Sequence, residues 1–319
     1  MTLSPELLET TPTTPPAKKE QVATRIIFFI AGFATASWAA IVPFVKANTG
    51  ANDATLGLLL LCFGVGALVA MPLTGAIAAK FGCRKLMVAS TIAFCLLLPL
   101  LPAISHIGIL IVGLLLFGVG IGLTDCAMNI QAVIVDKASE KPIISGFHGY
   151  YSVGGIVGAG AMSAILLMGT PPIAAAIIIS LVSLLLLSIS FKGFLSYANA
   201  PTGPLIAIPK GIVLVIGIIC FAIFLAEGTV LDWSAVFLIE HHGLEESLGG
   251  LGFAAFATTM TIGRLTGDKI VMRVGSARVV FWGGVLGRSF SLYRLYDRGI
   301  ITLLIHRNYR LCAGWCWLF

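Results

Sequence analysis

Residues 54–124 read ATLGLLLLCFGVGALVAMPLTGAIAA (54–79), KFGCRK (80–85) and LMVASTIAFCLLLPLLPAISHIGILIVGLLLFGVGIGLT (86–124). The outer pieces carry no charged side chain, whereas the short middle piece holds Lys80, Arg84 and Lys85. About 20 apolar residues cross a bilayer as a helix. The first piece is therefore one span, and the longer last piece is two, split by the turn chemistry of Pro102-Ala-Ile-Ser-His106. A basic connection between apolar helices sets the fold class as an all-α polytopic membrane bundle.

The rest of the chain agrees. Of 319 residues 58% are hydrophobic and 11% charged, with a mean hydropathy of +1.02, and a soluble domain needs roughly a quarter of its residues charged. The formal charge of +6 includes no basic run longer than Lys18-Lys19 or Arg84-Lys85, so no nucleic-acid patch is expected. The seven cysteines (62, 83, 95, 126, 220, 312 and 316) lack metal or disulfide spacing and read as small buried hydrophobes.

Met1 to Glu20, with Thr10-Thr-Pro-Thr-Thr-Pro-Pro16, is too polar for a signal peptide, and residues 1–25 are read as a disordered cytoplasmic tail. Helices are expected at 26–45, 54–79, 86–102, 107–135, 143–168, 172–191, 211–239 and 247–272, with a ninth starting at 279. Counting Lys and Arg in alternate connections gives thirteen on the N-terminal side, from Lys18 through Arg278, against Lys46 alone on the other. Positive loops stay in the cytoplasm, so the N-terminus is placed there.

The chain also matches itself. Asp53-Ala-Thr-Leu-Gly57 falls on Glu246-Ser-Leu-Gly-Gly250, and the same shift lays Lys80-Phe-Gly82 on Arg273-Val-Gly275. Two parallel repeats follow: a six-helix half at 26–191 and a partial second half at 211–287. A connector at 192–210 joins them, carrying Pro201, Pro204 and Pro209. Transporters built from repeats bind substrate between the halves near the midplane.

Gly75-Ala-Ile-Ala-Ala79-Lys80-Phe-Gly82-Cys-Arg84-Lys85 resembles the signature gating loop of the major facilitator superfamily. Gly263-Arg264-Leu-Thr-Gly267-Asp268, running on to Arg273-Val-Gly275, resembles its second copy. Asp125-Cys-Ala-Met-Asn129-Ile-Gln131, Gly146-Phe-His148-Gly-Tyr-Tyr-Ser152-Val-Gly-Gly155 and Ala226-Glu227-Gly228 with Asp232-Trp233-Ser234 resemble an uncharacterised bacterial inner-membrane branch near the fucose–proton symporters. The resemblance spans about 25–287. It implies a major facilitator bundle in the inner membrane, with a sugar as the favoured substrate class and drugs or peptides left open. Asp125 matches the acidic residue that branch uses for proton coupling. The signature loop's usual acidic position is Ala79 here and Met272 in the second copy, and Ile41 stands where the branch often has Arg.

After Gly287 the pattern stops. Arg288 arrives soon after the ninth helix starts at 279, and residues 288–319 hold five Arg, three Tyr and two Trp. This segment is read as an aberrant tail. A natural amphipathic end and a reading-frame shift near 287 that replaced helices ten to twelve both fit, and the shift is preferred. Translating the other frame of the locus separates them.

Asp125 lies deep in the fourth span. A carboxylate at that depth costs roughly 2.5–3.5 kcal/mol to insert and must face a cavity or a partner. It is the first proton-coupling candidate, with Asn129 one turn on as its hydrogen-bond partner. Glu227, mid-way along the seventh span, is the second. Trp38, Asn129, His148, Tyr151, Asp232 and Trp233 are the substrate-binding candidates, each with a structural alternative as a core, interfacial or hydrogen-bonded residue. Arg264 and Asp268 are spaced for an intrahelical pair. Glu240, His241, His242, Glu245 and Glu246 read as a solvated loop rather than a metal site. The glycines Gly113, Gly118, Gly120, Gly122, Gly154, Gly155, Gly158 and Gly160 suit close helix packing. No HExxH, GxSxG, Walker loop or CxxC occurs, so no enzyme activity, cofactor or ATP coupling is expected. The reading is a proton-coupled, monomeric secondary transporter of a small solute working by alternating access. The runner-up is a non-transporting sensor or an inactive truncated remnant.

Overall fold

The computed structural model describes residues 18–139, 143–198, 210–275, 278, 279 and 281–283; the side chains of 223, 264, 265, 267–269, 271 and 272 are not described. The tail at 288–319, most of the connector and the expected ninth helix apart from 279 and 281–283 lie outside the described residues. Among those described, regular structure is entirely helical: α1 Lys18–Thr49, α2 Asp53–Leu97, α3 Ile107–Lys137, α4 Ile144–Leu167, α5 Pro172–Ser190, α6 Ile212–His242 and α7 Leu251–Val274, with short 3-10 turns at several of the joints, such as Leu101–Ala103 and Glu246–Leu248. Six of these helices are long and apolar enough to cross a membrane. The last part of α7 carries Arg264, Asp268, Lys269 and Arg273, which keeps it more polar.

Two boundaries differ from expectation. The first helix begins at Lys18 and not at 26, so Lys18 to Arg25 is helical rather than part of a disordered tail. Lys and Arg end the membrane-embedded stretch but not the helix. Here the Thr24 hydroxyl donates to the Glu20 carbonyl at 2.7 Å, and Ala23 and Thr24 are buried beneath the connector at Gly193. The signature stretch is likewise not a loop. The second and third expected spans form one element, α2, that departs from helical geometry only at Gly82 (φ 80, ψ 158).

Glycine is the one residue type that fits at position 82. Its φ is in the left-handed region, and a Cβ there would collide with the Ser196 carbonyl of the connector. Around this break the connector is strapped down. Arg84 N donates to Leu195 O at 2.7 Å, and the Arg84 guanidinium donates to Phe194 O at 2.8 Å and Lys192 O at 3.2 Å. Buried Gln131 of α3 accepts from Leu195 N at 2.8 Å and donates to Thr24 of α1 at 2.9 Å.

The backbone records the repeat. Gly50 (φ 63) and Gly243 (φ 65) end α1 and α6, and Gly82 (φ 80) and Gly275 (φ 88) stand at the signature breaks. The shift that lays Lys80 on Arg273 also lays each first glycine on its second. Gly50 closes α1 with Gly50 N→Ala47 O and Ala51 N→Lys46 O, a Schellman ending.

Small residues decide the packing of the first half. A Cβ on Gly154 or Gly158 of α4 would collide with the Phe29 or Phe33 carbonyl of α1, and one on Gly118 of α3 with the Phe63 carbonyl of α2. These contacts bring α1 onto α4 and α2 onto α3 at backbone distance. Gly160, by contrast, faces open space. The core they enclose includes Phe28, Trp38, Phe94, Phe117 and Phe147.

Candidate functional site

The close α2–α3 contact at Gly118 and Gly122 leaves the following turn of α3, with Asp125, facing a gap between the halves. A cavity of about 510 Å³ opens there, walled by α1 to α4 from the first half and α6 and α7 from the second. Asp125, Asn129, His148, Tyr151 and Glu227 all line it. Thus α3 and α4 supply four of the expected site residues and α6 supplies the fifth. The His148 ring meets Phe28 edge-on at 5.1 Å.

One expected bond is different. The Asn129 amide donates to the main-chain carbonyl of Asp125 at 2.9 Å and not to its carboxyl. Four residues apart on one helix, an amide closes onto the backbone more readily than onto a side chain that points into the cavity. No described Lys or Arg side chain lines the cavity.

Trp38, Asp232 and Trp233 lie outside the lining. Trp38 is 1% exposed, with its ring 5.9 Å from Phe117, which makes it a core aromatic; its Nε1 is buried without a hydrogen-bond partner among the described residues. Trp233 packs on the first-half core, within 3.6 Å of where a Cβ on Gly57 would stand. Asp232 keeps one carboxylate oxygen buried and unpartnered among the described residues. Among the signature residues, Gly75 has open space beside it, Lys80 lies over the Phe81 ring at 5.3 Å, and Arg84 holds the connector. In the second copy Arg273 and Gly275 are exposed. The Arg264–Asp268 pair and the surroundings of Gly267 lie outside the described residues.

Among the described residues the two halves meet at one end of the cavity. At the Thr49 end, a Cβ on Gly250 would sit 2.8 Å from Ala40 and 3.1 Å from the Ala159 carbonyl, and the Phe253 ring comes within 3.4 Å of a Cβ on Gly155. Lys46 crosses this seam, donating to Asp53 at 2.6 Å and to Glu240 of α6. At the Lys18 end, residues 212–222 of α6 are exposed throughout.

Most of the remaining lining is apolar and escapes a reading of the chain. Phe63 and Met71 of α2, Met128 of α3, Phe224 of α6, and Phe253 and Met260 of α7 all face the cavity. No sequence signal marks them, because an apolar residue on a wholly apolar helix reads the same whether it faces lipid, core or cavity.

The sequence profile described as Major Facilitator Superfamily matches residues 26–294. The chain belongs to the major facilitator superfamily. Within it, the chain is 49% identical over 271 residues to an uncharacterized MFS-type transporter of Yersinia pestis, covering 85% of this chain and 71% of that one. It is 33% identical over 257 residues to an uncharacterized transporter of Sinorhizobium fredii, covering 79% and 68%. The membrane protein MosC of Rhizobium meliloti is 29% identical over 290 residues, covering 86% and 68%. The crystal structure of the nucleoside transporter NupG superposes with a TM-score of 0.65 at 14% identity over 94% of this chain and 80% of that one, a likeness of fold. This major facilitator protein is therefore a multi-pass membrane transporter and not an enzyme.

Proposed function

We propose that this transporter moves a small solute by alternating access and couples the movement to protons through Asp125 and Glu227. The observation that carries the reading is the shared cavity: one carboxyl comes from each half, and among the described residues the halves are bridged at the Thr49 end. A group that cycles a proton between two sides must be reachable from each in turn. The polar atoms buried near the closed end support a seam that opens, since Ser163 Oγ and Asp232 Oδ1 have no partner among the described residues. A permanent interface would be expected to satisfy such atoms. The excess of Lys and Arg on the Lys18 side supports a cytoplasmic N-terminus in the inner membrane, so the cavity faces the cytoplasm.

The test is uptake into proteoliposomes under an imposed proton gradient, screened over sugars, amines and acids. Asp125→Asn keeps size and polarity but cannot cycle a proton. It is expected to retain exchange of the solute and to lose accumulation at least tenfold. Unchanged accumulation in Asp125→Asn moves the coupling role to Glu227, and absence of any uptake by the wild-type chain favours the sensor or inactive-remnant reading.

A further inference from the structure

We infer that Asp232 is the proton switch of the seam at the Thr49 end: its carboxyl takes a proton from the water there as the halves close and returns it as they part. The inference rests on the alternating-access reading for a seam that opens, but the switch can be measured with no solute and no gradient present.

Position comes first. Asp232 lies eight residues before Glu240, about 12 Å along α6 at 1.5 Å per residue, and four after Gly228, which lines the cavity. It therefore stands between the Lys46 bridge and the cavity, on the part of α6 that meets α1 and α7. Its chain neighbours Leu231 and Trp233 pack against apolar clusters, and Ala235 and Val236, a turn further on, are buried. In these surroundings the Oδ1 oxygen of Asp232 is buried and has no hydrogen-bond partner among the described residues. A carboxylate stripped of water with nothing to offset the loss is the costly form of this side chain, so the acid that fits the closed seam is the neutral one.

Asp232 is one of four such groups along the seam. Ser163 Oγ of α4, Ser234 Oγ of α6 and Ser247 Oγ of the Glu246–Leu248 turn are also buried without a partner among the described residues. Two of these hydroxyls face the start of α7: a Cβ on Gly250 would stand 2.5 Å from Ser163 Oγ, and one on Gly252 would stand 3.2 Å from Ser234 Oγ. A bridging water needs room and several polar partners, and the backbone at these two glycines fills the room. Interiors that stay closed satisfy nearly all their buried polar groups. Four unsatisfied groups on one seam fit an interface that is wetted in its other arrangement. The three hydroxyls stay neutral throughout; Asp232 alone of the four converts wetting into release of a proton.

The other ionisable groups around this stretch have different places. Lys46 of α1 is held by Asp53 of α2 and Glu240 of α6. Glu245 and Glu246 of the turn and His241 of α6 are exposed, and the His242 ring meets Phe237 at 5.1 Å. On α7 the ionisable residues begin at Arg264, thirteen residues and about 20 Å from its start. Glu227, Asp125 and His148 line the cavity below. The sign of the switch follows from linkage. The closed seam holds one proton more than the open one, so acid favours closure. Rising pH favours opening by at most about tenfold per pH unit, the limit for a single proton.

The test reads how fast a charged, water-soluble maleimide labels Ser247→Cys, in the seam, relative to Glu245→Cys, on the exposed turn, in the purified full chain in detergent. Mass spectrometry of each labelled peptide keeps the native cysteines out of the count, and the ratio cancels the common effect of pH on thiolate formation. With Asp232 intact the ratio is expected to rise at least tenfold from about pH 5 to about pH 8. In Asp232→Asn, a neutral side chain of the same size, it should stay low at both, and Asp232→Glu should restore the rise. The rise should persist in Lys46→Gln, Glu240→Gln, Asp125→Asn, Glu227→Gln, His148→Gln and the His241→Gln, His242→Gln pair. Monodisperse elution and cooperative thermal unfolding establish that each variant is folded. The inference is overturned if the ratio does not change with pH when Asp232 is intact, if Asp232→Asn shows the same rise or is labelled fast at both pH values, or if one of the other substitutions abolishes the rise. An Asp232-dependent rise in a chain that accumulates no solute under any gradient leaves the switch standing and overturns the transport reading. Gradient-driven accumulation that depends on Asp125, with Asp232→Asn labelled like the parent, does the reverse.

Discussion

The helices α1 and α6 are repeat partners, yet their surroundings are opposite. They end on Gly50 and Gly243, which coincide under the repeat and both have left-handed φ. In α1, 89% of the most apolar window is buried; in α6 none of the corresponding window is, although α6 is the more apolar of the two. What differs is the neighbour. Helix α1 has glycine-bearing α4 against its backbone, while the first part of α6 has no such partner among the described residues and only its later turn, with Ala235 and Val236, is buried. Hydropathy makes a segment a membrane helix, and small residues on a facing helix make it a packed one.

The comparison breaks most sharply at glycines. Leucine in place of Gly158 must push α4 off the Phe33 carbonyl of α1, and overpacking of this kind destabilises by about 3 kcal/mol or more. The same substitution at Gly217 of α6 meets nothing within 4 Å and should stay within about 0.5 kcal/mol of wild type. Thermal unfolding in detergent measures both. Equal losses would mean that α6 is as closely packed as α1, and the contrast between the helices would fail.

A smaller effect sharpens the contrast at the signature breaks. Both Gly82 and Gly275 have positive φ, where an alanine is strained by about 1–3 kcal/mol. Only at Gly82 does the added Cβ also strike the connector, at Ser196. Gly82→Ala should therefore unfold at a clearly lower temperature than Gly275→Ala and should expose the connector to protease. Identical melting and cleavage would mean that the connector strap contributes nothing.

The smallest effect tests whether the halves are joined at the Thr49 end. A double-mutant cycle of Lys46→Gln with Glu240→Gln should return a coupling of about 0.2–1 kcal/mol, the range for partly exposed ion pairs, and it should shrink as salt rises. A coupling of zero at low salt would remove this link between α1 and α6.

Much of this is legible in the chain. Charge-free runs locate every described helix, and Pro102, Gly169-Thr-Pro-Pro172 and the glycines mark the ends, because Pro and Gly act on the backbone locally. Asp125 and Glu227 stand out since a carboxyl amid apolar residues must have a cavity or a partner. Misreadings arise where partners distant in sequence intervene. Hydropathy alone starts α1 too late because it does not register the connector that covers Ala23. Helical spacing pairs Asn129 with the wrong oxygen of Asp125. For Trp38 and Trp233 the chain leaves core and ligand roles side by side, because aromatic character is the same in a core as in a pocket.

Local chemistry suffices to make the chain a helical membrane protein of two repeats, to set where most of its spans begin and end to within a turn or so, and to place two acids at depth. Those properties follow from hydropathy, backbone preference and the cost of buried charge, none of which needs to know a neighbour. Which face each helix turns inward is settled by the assembled fold instead. Only there do Arg84 and Gln131 reach the connector, phenylalanine and methionine ring Asp125, and Lys46 and Glu240 close one end of the cavity. On helices apolar all round, facing is chosen by which surfaces fit at backbone distance, and that fit exists only between segments that are far apart in the chain.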